Sequence, residues 1–236
     1  MLREIQCRKR ISKGEKSMTL DMVEKLVLLS INNENGRVSR YGRYVLKYGV
    51  AGGILLHLYD QGAITPEKKG FVVSGKRPDG SRIAQAALDS LLKEKKEYPV
   101  KRWILFRSSA TKAIRKEAFY RLEDKGIVRE DEYRFLGLFP LKCYPVTNTV
   151  EKEKMANKLR EVLMEGSPPE IEEVYILGLL AACRAEYLLV SKQERKAVKE
   201  KLKGILKGNY LSSGNEFLLT VLKSVSTAVA YERSQT

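Results

Sequence analysis

Gly49-Val50-Ala51-Gly52-Gly53-Ile54-Leu55-Leu56-His57-Leu58 is the stretch whose reading decides the fold. It sits inside a longer apolar segment, Val45 to Tyr59. A glycine inside a helix costs roughly 1 kcal/mol against alanine. Three of them in one apolar segment make sense where another helix must approach closely, so the segment reads as a buried central helix. Gly62 closes it as a C-cap.

Towards the N-terminus, Asn35-Gly36 signals a turn. Before it, Leu20, Val23, Leu26 and Val27 share one helical face, with Asp21 and Glu24 in the first turn, where the helix dipole favours anions. Residues 1–17 read as a basic arm. Arg3, Arg8, Lys9, Arg10, Lys13 and Lys16 face only Glu4 and Glu15, and the apolar pattern is too sparse for a helix. Met18 is a candidate alternative start. The N-terminus has no apolar run after its basic residues, so no secretory signal is expected.

Towards the C-terminus, residues 63–81 carry Pro66, Gly70, Gly75, Pro78 and Gly80 and read as a polar loop or short hairpin. Helices are predicted from about Ile83 to Lys96 and from about Ser109 to Lys125, with Gly126 as the stop. Ile127 to Val146 alternates, is rich in aromatic and branched residues, and holds Gly137 and Pro140, which points to a β-hairpin. Asn148-Thr149-Val150-Glu151 opens a further helix that Gly166-Ser167-Pro168-Pro169 breaks. Ser191-Lys192-Gln193-Glu194 and Ser213-Gly214-Asn215-Glu216 fit the capping-box pattern of a helix start. The expected fold class is mainly α: one helical domain over residues 18–236 with a small β-hairpin, behind the flexible arm of residues 1–17.

Composition bounds the function. Of 236 residues, 43% are hydrophobic, enough for a packed core, and three cysteines exclude a disulfide framework. The apolar run Val174 to Cys183 is ten residues long, and Arg184 and Glu186 follow it. A membrane-spanning helix needs about 20. Lys and Arg number 44 against 29 Asp and Glu, a formal net charge of +15, so an anionic partner is expected: nucleic acid, an acidic membrane surface or an acidic protein.

Catalytic motifs are missing from the sequence. His57 is the single histidine and reads as a structural helix residue. Cys7, Cys143 and Cys183 lack metal-ligand spacing, and no phosphate-binding glycine loop or nucleophile elbow occurs. Glu172/Glu173 and Asp131/Glu132 read as solvated surface. No catalytic residue, metal or cofactor is therefore expected.

Two clusters carry more information. Lys93 to Lys125 holds eleven Lys and Arg against five Asp and Glu. Within it, Lys112 and Arg115 stand at i, i+3 on a predicted helix, with Lys116 one position further. Residues so spaced share a face about 5–6 Å apart at Cβ, which suits one phosphate group. Phe135-Leu136-Gly137-Leu138-Phe139 is an apolar run at a predicted turn. Exposed, it would seek a bilayer or a protein partner; buried, it would be core. A second basic stretch, Lys192 to Lys207, has the spacing of an amphipathic helix with Val198, Leu202 and Leu206 inward.

Taken in order, several segments resemble the Golgi phosphoprotein 3 family. They are Met18-Thr19-Leu20 with Glu24-Lys25-Leu26-Val27-Leu28-Leu29, the glycine-containing helix Gly49 to Leu58 with Gly62, and Val100-Lys101-Arg102-Trp103-Ile104. Glu123-Asp124-Lys125-Gly126-Ile127-Val128, Phe135 to Phe139, and Tyr144-Pro145-Val146-Thr147-Asn148 complete the set. The resemblance covers about residues 18–230. It implies a central helical bundle wrapped by amphipathic helices, with a β-hairpin at the surface. It also implies a non-enzymatic, cytoplasmic, peripheral membrane adaptor, on the Golgi face in a eukaryote, that binds phosphatidylinositol 4-phosphate.

The headgroup pocket that the resemblance implies carries over in part. Its two basic positions fall on Lys112 and Arg115. Its arginine falls on Ala51 and its tryptophan near Gly42, neither of which can serve. Tyr41 and Arg43 flank Gly42 and are the candidate replacements. The hairpin residues Phe135, Leu136, Leu138 and Phe139 would enter the membrane or form a homo-oligomer contact. The basic arm would meet a coat or cargo protein. Partner expectations are thus an anionic phospholipid surface first, with nucleic acid argued against by the absence of any groove-reading motif. A nucleic-acid-binding protein and a protein-only adaptor remain the alternatives.

Overall fold

The computed structural model describes residues 19–68, 70–78, 82–92, 98–106, 108–136, 138–207 and 215–235. The arm of residues 1–17, Met18, Gly137 and the Ser213 capping box lie outside them.

The chain is mostly helical with two small antiparallel hairpins, as expected. Helix α1 spans Met22–Ser30. Asp21 is its N-cap, not a first-turn residue: the Asp21 side chain accepts the Glu24 amide at 2.9 Å, and Glu24 accepts the Asp21 amide at 2.8 Å. Two orphan donors are satisfied by this one reciprocal pair.

The central helix is continuous but not uniform. A short α2, Gly42–Tyr44, runs into a π-helical turn, Val45–Gly49, and then into α3, Val50–Asp60. The glycines are there for the reason the sequence suggested. A Cβ on Gly52 would meet Leu179 Cδ2 at 2.7 Å and Val225 at 3.1 Å, and one on Gly53 would meet Leu26 at 2.9 Å. Helices from three parts of the chain therefore close on this stripe. Gly62, at φ +66°, takes the left-handed position beyond the helix end.

The segment after α3 is a hairpin. β1, Ile64–Glu67, pairs with β2, Gly70–Val73, and Phe71 bridges onward to Tyr98. Helix α4, Arg82–Leu92, presents Ile83, Ala87, Leu88 and Leu91 to the core. A short helix α5, Val100–Phe106, carries the buried Trp103, whose indole N–H donates to the Ala51 carbonyl at 3.1 Å. Helix periodicity is illegible over so few residues, so α5 has no signature of its own in the sequence.

Helix α6, Ser108–Asp124, leads to the second hairpin, β3, Asp131–Phe135, and β4, Phe139–Cys143. Helix α7, Val150–Arg160, continues through a π-helical turn, Glu161–Glu165, to Gly166 at φ +80°. Helix α8, Ile171–Ala182, is the buried apolar run, opened by a capping box of Glu170 and Glu173. Glu173 is thus buried and paired with Lys158 at 2.5 Å. It is not the solvated carboxylate expected, because capping the helix start gives it a structural task.

A 3₁₀ turn, Glu186–Leu188, follows, then α9, Arg195–Lys207, and α10, Asn215–Ser234. Of the Ser191 box only one half forms, the Ser191 amide donating to Glu194 at 2.7 Å, and α9 starts one residue later. α10 packs against α3, α5 and α8, and α1 against α3 and α6. The core threads all of these helices. Among the described residues, no helix is long and apolar enough to cross a membrane.

Candidate functional site

The second hairpin stands on α6. The Phe119 ring stacks on Tyr144, with centroids 3.9 Å apart and planes 14° from parallel. Residues Lys112, Arg115, Lys116 and Phe119 fall at helical spacing on α6, so the basic positions continue the strip on which the hairpin base rests. At that base Glu130 accepts Lys142 at 2.5 Å and the Tyr144 hydroxyl at 3.2 Å. Lys142 holds the Glu130 carboxyl below its ordinary range, with the Tyr144 hydrogen bond and the nearby Lys116 charge adding to it. Burial, with Glu130 beside it, pushes the Tyr144 phenol up to about 12. The base is thus tied within the hairpin by these polar contacts and to α6 by the ring stack and by the Glu130 amide, which donates to Glu123 at 2.9 Å.

Beyond it the hairpin is apolar and exposed. Register pairs Tyr133 with Leu141 and Phe135 with Phe139, so these four share one face. Phe135 is 51% exposed, Leu136 75%, Leu138 76% and Phe139 60%. That decides between the two readings of this run: it is not core. Leu136 takes φ +53° at the turn, a left-handed conformation uncommon for a leucine.

Cations surround this face. The Arg37 guanidinium lies 3.9 Å from the Tyr133 ring centroid. Arg37, Arg40 and Arg43 line an open cavity of about 490 Å³ with Tyr133, Leu141 and Lys142, and among the described residues no carboxylate lines it. The loop that carries Arg37 is clamped to the hairpin exit. The Tyr144 amide donates to the Gly36 carbonyl at 3.1 Å, and the Val146 amide to Asn33 at 3.0 Å. Gly36, at φ +62°, abuts the Tyr144–Pro145 backbone with no room for a Cβ.

Of the residues expected at the headgroup site, Lys112 is exposed on α6 and Arg115 is half-buried one turn on. Burial pushes the Arg115 guanidinium below its ordinary pKa, which still leaves it charged at neutral pH. Arg43 lies in the arginine cavity. Tyr41 lies elsewhere, edge-on to Tyr187 at 4.2 Å in a cavity formed with α9. Tyr41 and Arg43 therefore line separate cavities. Ala51 is buried under Trp103. A side chain at Gly42 would collide with the Ser30 carbonyl, so no ring fits there on this backbone.

Arg37, Arg40 and Tyr133 were not singled out in the sequence. The signal available was an Arg at every third position, Arg37, Arg40 and Arg43, which is weak without knowing that a hairpin folds over it. Among the described residues no cluster of His, Cys, Asp or Glu is arranged to hold a metal, and Cys143 and Cys183 are buried free thiols.

Comparison with known families agrees with this architecture. The model of the family described as Golgi phosphoprotein 3 (GPP34) matches residues 22–226, from the start of α1 to well inside α10. That span takes in the glycine-bearing central helix, α6 and the exposed hairpin together. On that match, the chain belongs to the Golgi phosphoprotein 3 family.

Proposed function

We propose that the protein is a non-enzymatic peripheral membrane adaptor that grips an anionic lipid headgroup, a phosphoinositide such as phosphatidylinositol 4-phosphate, while its hairpin enters the lipid interface. The observation that carries this reading is the exposed apolar tip, Phe135, Leu136, Leu138 and Phe139, beside a cavity lined by Arg37, Arg40 and Arg43 and by Lys142, which Glu130 pairs. Membership of the Golgi phosphoprotein 3 family supports it.

The energetics are additive. Burying a large apolar side chain is worth about 1.5–3 kcal/mol, and each Lys or Arg near an anionic leaflet about 1 kcal/mol. Lys112 and Arg115 would seat the phosphate, and Arg37, Arg40 and Arg43 would meet neighbouring headgroups. Binding of this kind is reversible and weakens with salt. The location that follows is the cytoplasmic face of a membrane, the Golgi in a eukaryotic cell, with protein cargo as the second partner.

Liposome co-sedimentation at two salt concentrations tests it, with neutral lipid, phosphatidylserine, phosphatidylinositol and phosphatidylinositol 4-phosphate compared. Selective recovery with the last lipid supports a headgroup site on α6. Equal recovery with every anionic lipid reduces the reading to a charged surface, and no recovery overturns it.

A further inference from the structure

A second cavity, of about 420 Å³, opens between the end of α8, the 3₁₀ turn, α9 and the C-terminal part of α10. Five cationic side chains line it, Arg184, Arg195, Lys199, Lys203 and Arg233, against one carboxylate, Glu186, among the described residues. Lys203 is engaged with Glu200 at 2.7 Å. Arg195 and Lys199, one turn apart on α9, point to the same cavity without such a partner.

Three buried polar atoms here have no hydrogen-bond partner: the Tyr187 hydroxyl, Arg195 Nε and Glu186 Oε2. Buried polar groups are nearly always satisfied, and leaving three together unpaired is costly. Glu186 is almost wholly buried. The Arg195 guanidinium is stacked 4.6 Å from the Tyr187 centroid, and Tyr187 is braced edge-on by Tyr41. Arg184 adopts φ +54° in the turn after α8, a strained conformation in which glycine would be at ease.

We infer that this cavity binds a phosphate monoester carried on a hydroxyl-bearing body. The phosphate takes the Arg195 guanidinium and the Lys199 ammonium at the cavity, and the shielded Arg195 Nε and Tyr187 hydroxyl gain a partner only as their side chains shift around it. Glu186 Oε2, an acceptor among donors, repels a bare anion and takes a hydroxyl of the body instead. The volume suits a single sugar-sized ring, at the small end of ligand pockets. The inference does not rest on the lipid reading of α6 and the hairpin, whose residues line none of this cavity.

The test is isothermal titration calorimetry of the full chain at physiological salt with glucose 6-phosphate, inorganic phosphate and glucose. Saturable binding of glucose 6-phosphate is expected, at least tenfold tighter than inorganic phosphate, with none for glucose. Tyr187→Phe removes only the unpaired oxygen and Arg195→Gln only the charge; each should weaken binding at least fivefold. Lys196→Gln, a charge-matched change on α9 outside the cavity, should leave it within twofold. Equal losses in Arg195→Gln and Lys196→Gln, or no saturable binding by the wild-type chain, would overturn the site. Tyr187→Phe that melts higher and binds unchanged would do so as well. Vesicles carrying a phosphoinositide assign the source. Vesicle binding lost in Arg195→Gln but kept in Lys196→Gln supports a lipid headgroup. Vesicle binding kept while glucose 6-phosphate binding is lost supports a free phosphorylated polyol.

Discussion

The Lys125 ammonium lies 2.7 Å from Glu24 Oε2, a carboxylate with no solvent exposure, and so fastens the end of α6 to the first turn of α1. Arg121 reaches the same carboxylate at 3.1 Å. A buried charge is tolerated when it is paired and hydrogen-bonded, and removing one partner costs about 3–5 kcal/mol. Glu24→Gln should therefore destabilise the fold by about 3 kcal/mol, read as a lower urea midpoint at unchanged slope. A change under 0.5 kcal/mol would mean that the pair is ornamental. Lys125→Met should cost less, because Arg121 still pairs with Glu24.

Charge reversal on α6 separates binding from folding. Lys112→Glu with Arg115→Glu should abolish recovery on anionic liposomes and leave the far-UV circular dichroism unchanged. Unaltered recovery would remove the headgroup role from these two residues.

The hairpin tip should be dispensable for stability. Phe135→Ser with Phe139→Ser removes rings that are already more than half exposed, so the melting temperature should stay within about 2 °C. Liposome affinity should fall by about 10- to 100-fold, or the oligomer should shift if the tip joins copies of the chain. An unfolded product would mean that the tip is needed for packing.

The central helix leaves no room for a methyl group at its closest approach. Gly52→Ala places Cβ against Leu179 and Val225 and should cost about 1–3 kcal/mol, despite the better helix propensity of alanine. Thermal melts of Gly52→Ala beside Gly204→Ala, where a Cβ meets nothing within 4 Å, distinguish packing from propensity. Only the second should hold or gain stability.

Lys152 supplies a pH signature. Burial lowers its pKa to about 8, and its ammonium donates to the Ile31 carbonyl at 2.5 Å and to Asn33 at 2.6 Å. An unfolded lysine titrates near 10.4. Between about pH 8 and 10.4 the unfolded state binds more protons, so stability contributed through this residue rises with pH in that window. Wild type should thus gain on Lys152→Met as pH climbs from 8 to 10. A flat difference would show that Lys152 is not desolvated.

Sequence reading reached the parts of this fold that depend on neighbours in the chain. The glycines of the central helix, the stop at Gly126 and the Ile127 to Val146 hairpin each carry a local reason. It could not reach the Glu24–Lys125 pair, whose members stand a hundred residues apart. Nor could it find the cavity around Tyr187, built from α8, α9 and α10 together. The apolar run at Phe135 was ambiguous for a related reason: exposure depends on what folds over it, and none of the described residues does. Tyr41 and Arg43 are two residues apart in the chain yet serve different cavities, because the backbone between them turns into a helix.

The π-helical turn at Val45–Gly49 has a consequence for how this surface could change. Such a turn holds one residue more than an α-turn, and one residue of helix is about 100° of rotation. The segment bearing Arg40 and Arg43 is thereby phased independently of the glycine stripe at Gly52 and Gly53. Losing a single residue there would let the helix run on as plain α and turn Arg40 and Arg43 by about a quarter-turn, and the buried Tyr44, Val45 and Leu46 would turn with them. The extra residue thus sets the direction of the charged face and of the core side chains beside it together.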